Sequence, residues 1–228
     1  MEADDRFVIP AEHGAEGPHA DEPVERWGPR LGEAPVAMIL VHGRHGSPGG
    51  ILEVARVLER PRLSCLAPAA AGGAWYPRSF LADRDANEPG LSSGLSVLRA
   101  LVSRVTDAGV QRERIVLLGF SQGACLTAEF AFRHPARYGG VVVYSGGLIG
   151  PPGMDWKGSG SLEGTPVFLG CSDVDSHIPK ERVDESAEVF GRMGADVTKR
   201  IYPGMGHLVN DDEIDFTRNL VDTLFEEA

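Results

Sequence analysis

From Pro35 onward the chain alternates two kinds of segment, and that alternation limits the folds open to it more than any other feature. "PVAMILVHG", "LSCLAPAA", "RIVLLGF", "GVVVYSG" and "TPVFLGCS" are continuous apolar runs bounded by glycine, proline or polar residues. Short unbroken runs of this kind are strands buried on both faces of a sheet. Among them "ILEVARVLER", "LSVLRALVSRV", "QGACLTAEFAFRH" and "KERVDESAEVFGRMG" repeat apolar residues at helical spacing. Pro135 stops the third helix and Gly194 the fourth; "DVTKRIYP" is a further strand and "DEIDFTRNLVDTLFEE" a last helix. Strands alternating with helices predict an α/β fold: a mostly parallel central sheet flanked by helices on both faces, with no separate cap domain. Residues 35–228 read as one domain. Residues 1–34, rich in Gly, Pro and Glu, read as an acidic N-terminal arm with room for one edge strand at "RFVIP".

Charge and cysteine usage exclude several roles. The net charge is -11, and the two ends, residues 1–34 and 211–228, carry about -6 each, leaving the middle near neutral. No basic stripe follows a phosphate backbone, so a nucleic-acid partner is not expected. The acidic ends are expected to serve solubility. No apolar stretch has the length of a membrane span. The start, "MEADDRFVIPAEHG", lacks the apolar core of a signal peptide. Cys65, Cys125 and Cys171 are scattered within apolar runs, which reads as buried thiols in a reducing compartment. The cytoplasm is the expected location, and the chain is expected to be a monomer or a homodimer.

In open parallel sheets ligands bind beyond the carboxyl ends of the strands, so chemistry is sought in the loops there. After the central strand comes "LLGFSQGAC", which places Gly119-Phe120-Ser121-Gln122-Gly123 between a strand and a helix. G-x-S-x-G in that position is a nucleophile elbow: a strained turn lifts the serine Oγ above the sheet, and the flanking glycines relieve crowding. The helix from Gln122 also aims its first amides at charge developing nearby. "LVHGRHGSPGG" ends the strand from Val36 in a glycine-rich turn, and the backbone amides of Arg44 and Gln122 are the expected oxyanion donors. A phosphate cradle is the rival reading of that turn, but its lysine and glycine spacing are missing. His42 and His45 read as loop-packing and solvent-facing residues.

"GCSDVDSHIP" places Asp173, Asp175 and His177 in one loop, as a metal site or as an acid loop. The metal reading is the weaker, since no distant ligand pair accompanies D-x-D-x-H. His207 lies in "YPGMGH" after the last strand, and the order serine, aspartate, histidine is that of α/β-hydrolases. Residues 72–92 form a long loop with no period, of the kind that is usually functional. Its Trp75, Tyr76 and Phe80, with Leu148 after another strand end, either wall a substrate pocket or pin loops to the body.

"LVHGRHG", "GFSQGACL", "FLGCSDVDSHIP" and "YPGMGH" together resemble the phospholipase/carboxylesterase family of α/β-hydrolases, which includes the acyl-protein thioesterases. "AWYPRSFLADRDANEPGLSS" is further similar to a bacterial carboxylesterase subgroup. The resemblance runs from about Pro35 to the C-terminus and leaves the arm uncovered. It implies that Asp175, four residues before Pro179, is the triad acid, with Ser172 standing where the family commonly has glycine. Asp173 is then expected to hold the loop by bonds to its own amides, and His177 to be exposed. The resemblance implies a serine carboxylesterase for short- to medium-chain esters, with Ser121, His207 and Asp175 catalytic. Thioesterase or lysophospholipase activity, or a silent binding protein on this scaffold, remain alternatives. A small ester or thioester is the expected partner, with no cofactor and no metal.

Overall fold

The computed structural model describes residues 6–226. Five strands carry the apolar runs: β3 (Val36–Val41), β4 (Leu63–Pro68), β5 (Ile115–Phe120), β6 (Gly140–Tyr144) and β7 (Pro166–Ser172); β8 is Asp196–Tyr202. The arm contributes β1 (Arg6–Val8) and β2 (Pro23–Trp27). All eight lie in one sheet, in the order β1-β2-β4-β3-β5-β6-β7-β8. Pairing is parallel from β4 through β8, while β1 and β2 join the β4 edge antiparallel. The helices are α1 (Pro48–Leu58), α2 (Gly90–Asp107), α3 (Gln122–Arg133), α4 (Lys180–Arg192) and α5 (Asp211–Glu226). This is the α/β-hydrolase fold.

Both faces of the central strands are covered, which is why their sequences are apolar throughout. Val36 to Leu40 are fully buried. α2, α3 and α4 pack one face with Leu98, Phe130 and Phe190, and α1 and α5 pack the other with Leu52, Leu58 and Val221. No helix among the described residues is long and apolar enough to cross a membrane.

Two sequence expectations change. The arm supplies two strands where its pattern offered one, because β2 extends the sheet through "PVERW", whose half-buried face alternates too weakly to stand out. The arm also braces the loop above the site. His19 is buried, its Nε2 donates to the Trp75 carbonyl (2.9 Å), and its Nδ1 accepts from the Ala71 amide (3.0 Å). The 72–92 stretch is shorter than its sequence implied, since α2 begins at Gly90 and a 3-10 turn occupies Arg84–Asn87.

Part of the C-terminal acidity has a structural use. Asp211, Asp212 and Glu213 occupy the first turn of α5, where negative charge opposes the helix dipole. Asn210 and Glu213 form a capping box: the Glu213 amide donates to Asn210 Oδ1 and the Asn210 amide to Glu213 Oε2, both at 2.9 Å. Glu213 is buried, and burial pushes its carboxyl from 4.5 up to about 7, against the help of the Asn210 amide. A carboxyl raised in the folded state favours folding while protonated. Its contribution is therefore full below about 4.5 and is lost as pH rises through about 7. Between about pH 5 and pH 9 the stability gap between Glu213→Gln and wild type should widen by about 2–3 kcal/mol in the variant's favour. Urea denaturation at the two pH values measures it, and a gap independent of pH would mean that Glu213 does not titrate in the native protein.

Candidate active site

Ser121 stands between β5 and α3 with φ 55° and ψ -119°, a left-handed conformation that a non-glycine residue holds only where its surroundings impose it. Its amide donates to the Tyr144 carbonyl (2.9 Å), which fixes the turn to β6. The flanking glycines have separate reasons. A Cβ at Gly119 would lie 2.4 Å from the Gly123 carbonyl oxygen, and one at Gly123 would lie 2.1 Å from the Val41 oxygen at the end of β3. The first glycine clears the turn itself and the second clears the neighbouring strand.

His207 is delivered by the loop between β8 and α5, with Gly204 and Gly206 at positive φ beside it. Its Nε2 lies 2.8 Å from Ser121 Oγ, and its Nδ1 lies 2.7 Å from Asp175 Oδ2. A carboxylate can only accept, so Nδ1 carries the proton in the neutral ring and Nε2 is left to accept from the serine hydroxyl. The Asp175 side chain is wholly buried. Burial acts to raise its carboxyl, but His207 and the amides of His177 (2.8 Å) and Ile178 (3.0 Å) outweigh it and hold the group below its ordinary range.

Asp175 faces His207 as expected, but the local role expected of Asp173 falls elsewhere. Asp175, not Asp173, accepts the amides of its own loop. Asp173 Oδ1 reaches across to the Gly204 amide (2.8 Å) in the His207 loop. Ser172 acts alongside it, its Oγ accepting from Val174 N (3.2 Å) and Gly206 N (3.0 Å). The serine that departs from the family's glycine thus latches the acid loop to the histidine loop. His177 packs its ring against that of His207, with centroids 4.7 Å apart, and among the described residues no three His, Cys, Asp or Glu side chains are grouped to hold a metal.

Gly43 brings the end of β3 beside the serine; a Cβ there would lie 3.2 Å from Ser121 Cβ. The Arg44 and Gln122 side chains have a role that motif reading missed. The Arg44 guanidinium donates to the carbonyls of Tyr76 (2.8 Å), Pro77 (3.3 Å) and Arg78 (2.9 Å). Gln122 Nε2 donates to the Tyr76 carbonyl (2.8 Å), and its Oε1 accepts from Trp75 N (2.9 Å). The two residues singled out for their amides thereby clamp the loop that roofs the site.

A cleft of about 580 Å³ opens over Ser121. Tyr76 and Phe80 line it, but Trp75 and Leu148 do not. Trp75 is fully buried behind the wall, its indole Nε1 donating to the His42 carbonyl (2.9 Å). Leu148 is buried as well, its amide donating to Ser186 Oγ (2.9 Å) and its carbonyl accepting from Arg182 (2.7 Å). Both pin loops to the body. His42 is buried, and desolvation lowers its pKa. Sequence reading passed over Phe120, Cys125, Arg78 and Ile178 as lining residues; Phe120 ends β5, Cys125 and Ile178 follow strand ends, and Arg78 lies in the long loop. Burial pushes the Cys125 thiol up to about 12, so it is an inert piece of the floor.

A model of the phospholipase/carboxylesterase family matches residues 35–225. The chain belongs to this family. Among family relatives, the acyl-protein thioesterase 1 of Eremothecium gossypii is 29% identical over 82% of this chain and 86% of its own length. That of Gibberella zeae is 31% identical over 58% of this chain, a stretch that spans just over half of the relative, 57%. The crystal structure of a phospholipase/carboxylesterase from Dyadobacter fermentans superposes with a TM-score of 0.85 at 35% identity, covering 91% of this chain and 99% of that one. A Bacillus cereus carboxylesterase, 21% identical with a TM-score of 0.72, covers 89% of this chain and 94% of its own and shares the fold.

Proposed function

We propose that the protein is a serine carboxylesterase that hydrolyses short- to medium-chain esters through an acyl-enzyme. The observation that carries this reading is the relay from Asp175 through His207 to Ser121, made by two hydrogen bonds of 2.7 and 2.8 Å. His207 Nε2 takes the Ser121 proton as Oγ attacks the ester carbonyl, and the imidazolium is held by Asp175. The amides of Arg44 and Gln122 receive the oxyanion, with the α3 N-terminus adding favourable potential. His207 then protonates the leaving alkoxide, and a water activated by the same ring releases the acid.

The cytoplasm is the proposed compartment, supported by Cys65, Cys125 and Cys171, which are free and buried. Thioester hydrolysis is the second reading, favoured by the relatives named acyl-protein thioesterase 1. The relay serves either bond, and the walls of the cleft come mainly from loops. Intact mass spectrometry after treatment with a fluorophosphonate tests the reading. One adduct, mapped to the Ser121 peptide, is the expected result; none on folded protein would remove the hydrolase reading. Rates on an oxoester and a thioester of one acyl group then separate the two activities.

A further inference from the structure

The charge around the cleft runs against the charge of the chain. The protein carries -11 overall, yet the residues lining the cleft include Arg44, Arg78, His45 and His177 and no aspartate or glutamate. The Asp175 carboxylate lies behind His207 and is engaged by it. Several arginines elsewhere meet acids: Arg60 meets Asp222, Arg84 and Arg133 meet Glu129, and Arg200 meets Asp212. Among the described residues the Arg44 guanidinium meets loop carbonyls alone, which orient it without neutralising it. Arg78 is exposed, and its side chain has no hydrogen-bond or carboxylate partner among the described residues. The α3 N-terminus adds positive potential from below. Phe80, Phe120, Ile178 and Cys125 add apolar surface to the lining beside the polar Tyr76, Ser79 and Gln122. Short apolar walls under a cationic rim match a ligand with a few methylenes and one negative end.

Resting on the esterase reading, we propose that the preferred substrate is a small ester carrying a carboxylate, received by Arg78 with Arg44 beside it. One free guanidinium and one whose donors are largely occupied match a monoanion better than a dianion. His177, which also lines the cleft, is packed against His207. The long-range field of an acidic protein repels anions, so the rim must act locally. Its effect is therefore expected chiefly in the bound complex rather than in steering from afar.

The test compares kcat/KM for 4-nitrophenyl hexanoate and the 4-nitrophenyl half-ester of adipic acid, in which a carboxylate replaces the terminal methyl. Wild type is expected to favour the half-ester by about tenfold at low salt, the scale of a charge pair at a partly exposed site. The ratio should shrink at high salt, fall toward one in Arg78→Gln and recover in part in Arg78→Lys. Arg192→Gln makes the same charge change at the exposed end of α4 and should leave the ratio where it was. Hydrolysis of the hexanoate at an equal or greater kcat/KM would overturn the anion preference and leave the esterase standing. An Arg192→Gln effect as large as that of Arg78→Gln would reduce the rim to net charge and overturn it too. Hydrolysis of neither ester, with no fluorophosphonate adduct, would remove the esterase reading and this inference with it.

Discussion

Ser121→Ala is expected to lower kcat/KM on an activated ester by about 10⁶, Asp175→Asn by about 10⁴, and Asp173→Asn by less than about tenfold. The grading follows from where each hydrogen bond goes. Without Ser121 no acyl-enzyme forms, and only binding and the oxyanion amides remain. Asp175 Oδ1 accepts two amides, from His177 and Ile178, while Oδ2 faces His207 Nδ1. An asparagine must keep its carbonyl oxygen on the two amides and so turns its NH2 toward Nδ1. Nδ1 then has to accept, the ring proton moves to Nε2, and the base that should take the serine proton is blocked. Asp173 needs only an acceptor for the Gly204 amide, and asparagine keeps one. Steady-state kinetics on the three variants, with circular dichroism to show that each is folded, measures the series. Equal losses at Asp173 and Asp175 would mean that the histidine loop's position, rather than its tautomer, governs the rate.

The sheet, its helices and the elbow at Ser121 were legible because each is written into a short segment, whereas His207 came from its order in the chain and Asp175 from the family resemblance. A buried strand is an apolar run, a helix a period, and the elbow a pair of glycines two residues from a serine. What escaped depends on contacts between distant segments. β2 forms because β4 offers it an edge, and His19 matters because Trp75 and Ala71 come to it. Trp75 and Leu148 looked like pocket residues because large apolar side chains near strand ends can face either way. Hydrogen bonds to the His42 carbonyl and to Ser186, remote in the chain, turn them inward. Asp173 was expected to bond locally, as aspartates in turns do, but Gly204 lies closer to its carboxylate than sequence distance implies. His177 stands at a position the family pattern leaves free, so nothing local marked it as a neighbour of His207.

Gly123→Ala is expected to destabilise the fold by about 2–3 kcal/mol, near the upper end of overpacking costs, and to lower kcat/KM by at least about 100-fold. The added methyl would sit 2.1 Å from the Val41 oxygen and 2.5 Å from the His42 oxygen. Both are backbone atoms at the end of a central strand, so no side chain can rotate aside. Relief must come from moving α3 away from β3. That movement separates the amides of Gln122, on α3, from Arg44, beyond β3, and the oxyanion then loses one of its two donors. Gly191→Ala is the matched control: it lies within α4 with nothing within 4 Å of the new Cβ, so it should stabilise by about 0.5–1 kcal/mol through helix propensity alone. Thermal melts and ester kinetics on the two variants separate close approach from the general cost of replacing glycine. If Gly123→Ala melts and turns over like wild type, α3 and β3 are not held at that contact, and the second glycine of the elbow has no steric reason to be there.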